Sequence, residues 1–307
     1  MSGPVLVIKL GALGDLIQAL GPIAAIRRHH SGQHIALLTA PGLVELIQAT
    51  GLADEVWADT RPSLLDPRGW LALRRRLHQA GLARVYDLQT SDRSAWYFRL
   101  FWPGPWPEWS GIAHGCSHPH TDPARDLMHT VERQRAQLAI AGIADVPLAD
   151  LSVLARRLDP ARFNLPARFA LLVPGGSAHR PEKRWPIDRY AALARALAQR
   201  GMVPVVVGEA NEKALAAAIA ATCPATIDLA GQTSLVDLVA IAGRAALAIG
   251  NDTGPMHIAN AARRPCIVLF SRVSDPALCK PWGATTIQRD DLADLSVDDV
   301  LEKAGSL

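Results

Sequence analysis

The sequence is short of several things, and each shortage removes a class of protein. Its four cysteines, Cys116, Cys223, Cys266 and Cys279, stand far apart without paired spacing. Neither a zinc ribbon nor a disulfide framework is indicated, and the four read as reduced thiols of a cytosolic protein. No stretch reaches the roughly 18 uncharged apolar residues that a membrane-spanning helix needs. The opening MSGPVLVIKLGALGD lacks a basic leader, and its apolar run breaks at glycine and Asp15, which speaks against a signal peptide. Charge of one sign is scarce, with 32 Lys+Arg against 29 Asp+Glu and a net charge of +3. That balance is too weak for a nucleic-acid partner, though compatible with an anionic substrate or peripheral contact with a membrane. No G-x-G-x-x-G fingerprint occurs, which disfavours a dinucleotide-dependent oxidoreductase.

What is present is an ordinary globular composition, 49% hydrophobic and 20% charged over 307 residues, enough for two domains of about 150 residues. Short apolar runs alternate with segments of helical period: VLVIKL (5–10) then 16–30, HIALLTA (34–40) then 43–50, ARVYDL (83–88) then 92–101. Such alternation implies parallel strands joined by crossover helices. Residues 102–122, rich in Pro, Gly, Trp and His, read as a loop, followed by a helix over 124–141 and a Pro-punctuated linker over 144–169. A second series starts with FALLVPGG (169–176) and runs through MVPVVVG (202–208), ATIDLAG (225–231), AALAIG (245–250) and PCIVLF (265–270), with helices between. The expected architecture is α/β, two doubly wound Rossmann-like halves, 1–158 and 159–307, with the last helix free to pack back on the first half.

In open parallel sheets ligands bind beyond the carboxyl ends of the strands, so the loops after strands are where function is sought. The first, Gly11-Ala12-Leu13-Gly14-Asp15, sets two glycines and a carboxylate at a helix start; Asp15 serves equally well there as a helix cap. The second, PGGSAHRPEKRWP (174–186), gathers Gly176, Ser177, Arg180, Lys183 and Arg184, a set suited to pyrophosphate or simply to a solvated basic loop. Trp185 in it reads as packing. The third, GNDTGPMH (250–257), offers Asp252, Thr253, Gly254 and His257. Its helix amides could hold phosphate oxygens, or the motif could be no more than a capped helix with a satisfied histidine. The fourth carries Glu209 and Glu212, either ribose readers or first-turn helix acids. A metal reading of His114, Cys116, His118 and His120 is set aside, because no second cluster completes a tetrahedral set. Their loop is better read as facing acceptor or membrane. Gly14, His118 and His120 are the acceptor-side candidates, and the basic runs Arg27-Arg28 and Arg74-Arg75-Arg76 are either solvated faces or partners for phosphates.

Taken together, IKLGALGDLIQALGPIAAIR, VYDLQTSDRS, PGGSAHRPEKRWP and GNDTGPMHIANA resemble, in order along the chain, glycosyltransferase family 9, whose best-known members are the lipopolysaccharide heptosyltransferases. The resemblance implies the GT-B architecture: two Rossmann-like domains facing a cleft, the first binding acceptor, the second the nucleotide sugar. It implies Asp15 as catalytic base, Lys183 as the donor-phosphate lysine, and Asp252, Thr253, Gly254 and His257 as donor-binding, with Gly176 and Ser177 against phosphate. The implied chemistry is a single inverting displacement without metal or other cofactor, its co-substrate an ADP-linked sugar and its acceptor a glycolipid or glycan, carried out in the cytoplasm or at the cytoplasmic face of the inner membrane. Arg184 would help neutralise the departing diphosphate, and no D-x-D metal motif occurs. Two alternatives share the pattern: a two-domain sugar-nucleotide epimerase, which needs no acceptor, and a catalytically silent nucleotide-sugar-binding protein.

Overall fold

The computed structural model describes residues 3–63, 65–176 and 179–306. The chain divides into two compact units, Met1–Ala149 and Asp150–Leu307. In the first, β1 (Val5–Ile8), α1 (Leu13–His29), β2 (Ile35–Thr39), α2 (Val44–Thr50), β3 (Glu55–Ala58), α3 (Pro67–Gln79), β4 (Arg84–Asp87), α4 (Asp92–Arg99), β5 (Glu108–Gly111), β6 (His118–Pro119) and α5 (Thr130–Ile140) follow in chain order. Its strands form one parallel sheet in the order β3-β2-β1-β4-β5-β6. The second unit runs α6 (Ser152–Arg157), β7 (Phe169–Val173), α7 (Ile187–Gln199), β8 (Val203–Val206), α8 (Lys213–Thr222), β9 (Ile227–Asp228), α9 (Leu235–Ala242), β10 (Leu247–Asn251), α10 (Gly254–Ala261), β11 (Cys266–Phe270), α11 (Pro276–Cys279), β12 (Thr285–Gln288) and α12 (Val297–Gly305). Here the parallel order is β12-β11-β10-β7-β8-β9.

The central strands VLVI, IALLT, FALLV and CIVLF are buried along their whole length, as expected of parallel strands covered by helices on both faces. In the first unit Leu6, Ile8, Leu38 and Val85 of the sheet pack with Leu77, Tyr97, Phe98 and Trp109. In the second Leu172, Ile249 and Leu269 pack with Trp185, Tyr190, Leu193, Val300 and Leu301. Each such aliphatic side chain, fully withdrawn from water, contributes roughly 2 kcal/mol. The terminal helix α12 packs on α7 and β11 of its own unit.

Three segments differ from the sequence-based expectation. Residues 102–122 are not all loop: β5 and β6 extend the sheet there. Trp109 is fully buried against Phe98 at 5.3 Å, so the segment has a core residue to anchor it despite its Pro and Gly content. The helix expected over 124–141 is a single turn at Arg125–Leu127 followed by α5, which His129 caps by accepting from Val131 N at 3.2 Å. The stretch read as linker carries α6, whose Ala155 lies so close to Gly243 that a Cβ there would stand 2.5 Å from its own.

Both sheets have a switch point. β1 lies between β2 and β4, and β7 lies between β10 and β8, so the loops leaving these strands splay apart and open a crevice at the carboxyl edge. All four loops picked out above lie at these edges, one in the first unit and three in the second.

Candidate active site

In the first unit the backbone leaves β1 through Lys9 and Leu10, whose amide donates to Gln89 Oε1 at 2.9 Å and whose carbonyl accepts from Arg61 Nη2 at 2.6 Å. Gly11 then turns the chain with φ +123, a conformation that side chains rarely adopt. The N-cap of α1 is Ala12, with no side-chain cap. Asp15 is therefore not the cap; it stands in the first helical turn beside Gly14, half-buried. Its carboxylate makes no hydrogen bond or ion pair with a described residue. Two cations act on it instead, Lys9 and Arg133.

Lys9 is only 4% exposed, and its Nζ donates to Leu88 O at 3.3 Å. Burial lowers its pKa first, Arg133 adds to the lowering, and Asp15 and Asp87 oppose it. Asp87, at the end of β4 opposite Ile8, is fully buried, and burial raises its carboxyl to about 6. The amides of Gln89 and Thr90 donate to its Oδ1 at 3.1 and 3.0 Å and pull the other way, while Oδ2 has no hydrogen-bond partner. Arg133, on α5, is lowered by burial and by Arg125, against Asp126 and Asp15. His120 is buried with neither ring nitrogen hydrogen-bonded, and burial, then Arg125, lowers its pKa. His118 turns elsewhere, pairing through Nδ1 with Ser117 Oγ at 2.9 Å.

The second unit's loops converge through hydrogen bonds. Asn251, at the end of β10 and fully buried, accepts on Oδ1 from Trp185 N and Tyr190 OH, both at 3.0 Å. Its Nδ2 donates to Pro174 O and Gly175 O, both at 2.9 Å. One side chain thus rivets the glycine loop after β7 to the residues that follow Lys183 and Arg184. Glu212 is a second rivet, accepting from Gly176 N and Glu209 N at 2.8 Å each. It presses so closely on the loop that a Cβ at Gly175 would meet its Oε1 at 2.0 Å, so a larger residue there would push the carboxylate off its two amides.

On this frame Lys183 Nζ pairs with Asp252 Oδ2 at 2.7 Å, both side chains largely buried. Arg184 Nη2 donates to Gly176 O, and its Nε is buried without a hydrogen-bond partner. Thr253 is the N-cap residue of α10, Gly254 is the first residue of that helix, and His257 is buried one turn on. A Cβ on Gly176 would lie 3.5 Å from both Arg184 Cγ and Thr253 Cγ2, so these three adjoin. Glu209 is exposed at the rim of the loop. Trp185 is buried against Tyr190 with ring centres 4.9 Å apart. Ser177 lies outside the described residues.

Of the candidates, Lys183, Asp252, Thr253, Gly254, Gly176 and Arg184 are brought together, and Asp15 and Gly14 stand at the other switch point. Sequence reasoning missed Lys9, Asp87, Arg133 and Asn251. For Lys9, Asp87 and Asn251 the available signal was a polar residue ending an apolar strand, in VLVIK, ARVYD and ALAIGN; Arg133, inside α5, carries no such signal.

The chain thus has two doubly wound units, one with a carboxylate and the other with cations, glycines and a helix N-terminus at its switch point. The profile of glycosyltransferase family 9 (heptosyltransferase) matches residues 70–291, and the chain belongs to that family. The matched range includes all the second unit's site loops and begins after Asp15. The chain is 34% identical over 104 residues to a lipooligosaccharide heptosyltransferase 2 of Haemophilus influenzae, covering 32% of this chain and 30% of that one. It is 32% identical over 174 residues to a lipopolysaccharide heptosyltransferase 3 of Escherichia coli, covering 52% and 48%. The alignments thus span less than half the length of these curated relatives. The structure of E. coli ADP-heptose LPS heptosyltransferase II superposes with a TM-score of 0.80 at 22% identity, covering 100% of this chain and 98% of that one, which shows the shared GT-B fold.

Proposed function

We propose that this chain is an inverting heptosyltransferase, moving heptose from ADP-heptose to a lipopolysaccharide-core or related glycan acceptor. Family membership and the names of the relatives support the donor and acceptor class. The observation that carries the chemistry is Asp15, a half-buried carboxylate at the carboxyl edge of the first sheet with no hydrogen bond to occupy it and two cations acting on it. On this reading the first unit holds the acceptor, with Gly14 and His120 beside the reacting hydroxyl, and the second holds the nucleotide sugar.

Asp15 accepts the proton of an acceptor hydroxyl as that oxygen bonds to the anomeric carbon, and the bond from that carbon to the diphosphate oxygen breaks on the opposite face. The product sugar has inverted configuration and ADP departs. The Lys183 ammonium, now paired with Asp252, is the cation the diphosphate competes for. With Arg184 and the first amides of α10 it stabilises the charge growing on the leaving group. His257 and Asp252 adjoin the same phosphates and sugar, and the exposed Glu209 reads the ribose, while Glu212 keeps the loop in shape. The cations do the work of a metal ion, so transfer needs none, and the enzyme works in the cytoplasm.

The test incubates the protein with ADP-heptose, with and without a heptose-free lipopolysaccharide core, and follows ADP release and the anomeric signal by NMR. Acceptor-dependent release with inversion, unaffected by EDTA, is expected. Conversion of the sugar nucleotide without acceptor makes the protein an epimerase, and binding without turnover makes it a silent binding protein.

A further inference from the structure

The turn that carries Asp15 has little of its own to hold it. Gly11 pivots at φ +123, and glycine has no side chain to favour one direction over another. Ala12, the N-cap residue of α1, offers no side-chain cap, and an uncapped first turn frays because its leading amides have no partner within the helix. Asp15 lies on that turn. The buried run of α1 that starts at Leu16 fixes the helix as a body, yet catalysis asks for more: a displacement of about 1 Å can cost roughly a hundredfold in rate.

Constraint arrives from outside, at the residue before the pivot. β1 is paired with β2 and β4 from Val5 to Ile8, and Lys9 N still donates to Leu38 O at 3.0 Å. There the ladder ends, and two side chains take over at Leu10. Gln89 Oε1 accepts from Leu10 N at 2.9 Å, and Arg61 Nη2 donates to Leu10 O at 2.6 Å. They come from loops on opposite sides of β1, Gln89 from the loop after β4 and Arg61 from the loop after β3. The two bonds hold the two peptide planes that meet at Leu10, so together they set its φ and ψ and the direction in which the chain enters Gly11. The Arg61 head reaches the pivot itself, since a Cβ on Gly11 would stand 3.9 Å from Nη2.

The two loops are built alike. Each begins with a buried aspartate at its strand's end, Asp59 or Asp87, whose Oδ1 accepts from the amide two residues on, Arg61 N at 2.9 Å and Gln89 N at 3.1 Å. Tyr97 OH donates to Asp59 Oδ2 at 2.7 Å, and Arg93 of α4 donates to Pro62 O at 3.2 Å, which steadies the Arg61 loop further. Each loop also carries a non-glycine residue in the left-handed region, Arg61 at φ +48 and Thr90 at φ +46. Such conformations persist only where the surroundings impose them, and they gather at functional sites. Arg61 is exposed and Gln89 half-buried, so neither is there to fill the core.

We infer that Arg61 and Gln89 are positioning residues, a two-sided clamp on Leu10 that sets where the Asp15 carboxylate meets the acceptor hydroxyl. This role rests on the reading of Asp15 as the base.

Steady-state kinetics and amide hydrogen exchange on Arg61→Ala, Arg61→Lys, Gln89→Leu and the Arg61→Ala/Gln89→Leu double variant test it. Arg61→Ala and Gln89→Leu should each lower kcat roughly tenfold or more, with acceptor KM within about twofold of wild type and with melting temperature and ADP affinity unchanged. Arg61→Lys, which keeps a donor for Leu10 O, should recover most of the loss. Because both bonds fix one residue, the double variant should fall well short of the product of the single losses. The amides of Leu10 and of Leu16, which donates to Ala12 O at 2.9 Å, should exchange faster in both single variants. Unchanged exchange, or an intact kcat, overturns the clamp, and a raised acceptor KM with kcat intact would make Arg61 an acceptor contact instead. Losses that multiply in the double variant would mean that the two residues act separately. Exchange needs no substrate, so a failed clamp shows there. Near-normal turnover in Asp15→Asn, run alongside clamp variants that exchange faster as expected, would place the failure in the base reading and remove the positioning role with it.

Discussion

The two switch points are built by opposite means. In the second unit the polar groups that shape the site are satisfied: Asn251 uses both side-chain atoms on four partners, Glu212 uses both oxygens on backbone amides, and Lys183 has Asp252. In the first unit titratable groups are buried with little to satisfy them: Lys9 has one carbonyl at 3.3 Å, Asp87 has an orphan oxygen, and His120 has two orphan nitrogens. A satisfied network gives fixed geometry, which suits holding a ligand. Unsatisfied buried charge gives shifted proton affinity, which suits moving a proton. On the proposed reading the second unit holds the donor and the first, through Asp15, the base.

The sharpest way to break this contrast is Asp15→Asn. Loss of a general base costs about a hundredfold to ten-thousandfold in turnover, and ADP affinity should stay near wild type, because the residue belongs to the other unit. Helix stability should not change much, since Ala12 and not Asp15 is the N-cap residue and asparagine keeps the side-chain shape. A folded variant with near-normal turnover removes Asp15 as base.

Next in size is Asn251→Ala, which leaves Trp185 N, Pro174 O and Gly175 O without their partner and Tyr190 OH with Val173 O alone. Orphaning buried groups costs about 3 kcal/mol in denaturant unfolding, and the donor KM should rise because the glycine loop loses its tether. A variant of full stability would mean that the satisfied frame is not what holds the second unit's site.

A third measurement probes the first unit. Because burial raises Asp87 from 3.8 to about 6, the folded state holds that proton more tightly than the unfolded chain does. The stability this confers is complete below pH 4 and is lost as pH rises through 6. Asp87→Asn, which keeps an acceptor for Gln89 N and Thr90 N, should match wild type near pH 4 and exceed it by about 2–3 kcal/mol at pH 8. Equal stability curves at both ends would mean that Asp87 is not held against its charge.

Much of this was legible beforehand, and the gaps have physical causes. VLVI, IALLT, FALLV and CIVLF announce buried parallel strands because both of their faces are apolar, and the Gly, Lys and Thr loops declare themselves by composition. β3 does not: EVWA is four residues long with Glu55 exposed. β5 and β6 hide among Pro, Gly and His because they are only four and two residues long, and the burial of Trp109 is what marks them. Lys9 and Asp87 read as strand ends, since sequence carries no sign that a terminal charge is folded inward. Glu212 read as either a ribose partner or a helix acid, and the structure shows its carboxylate on Gly176 N and Glu209 N, a tertiary role that spacing does not encode.

The smallest effect sought is the most diagnostic for the second unit. Lys183→Ala should weaken ADP by roughly thirtyfold, about 2 kcal/mol for a lost charge-assisted contact to phosphate, and leave adenosine binding unchanged. That variant also strands Asp252, only 9% exposed, without its cation, so a general loss of stability could imitate a loss of phosphate binding. Asp252→Asn separates the two. If the carboxylate holds the ammonium in competition with diphosphate, removing its charge frees Lys183 and ADP binds at least as tightly as to wild type, although turnover falls if Asp252 also touches the sugar. Titration calorimetry with ADP and adenosine on the two variants decides: parallel losses for both ligands in Lys183→Ala would make the pair a structural bridge, and weaker ADP binding in Asp252→Asn would mean that the carboxylate orients the lysine for phosphate.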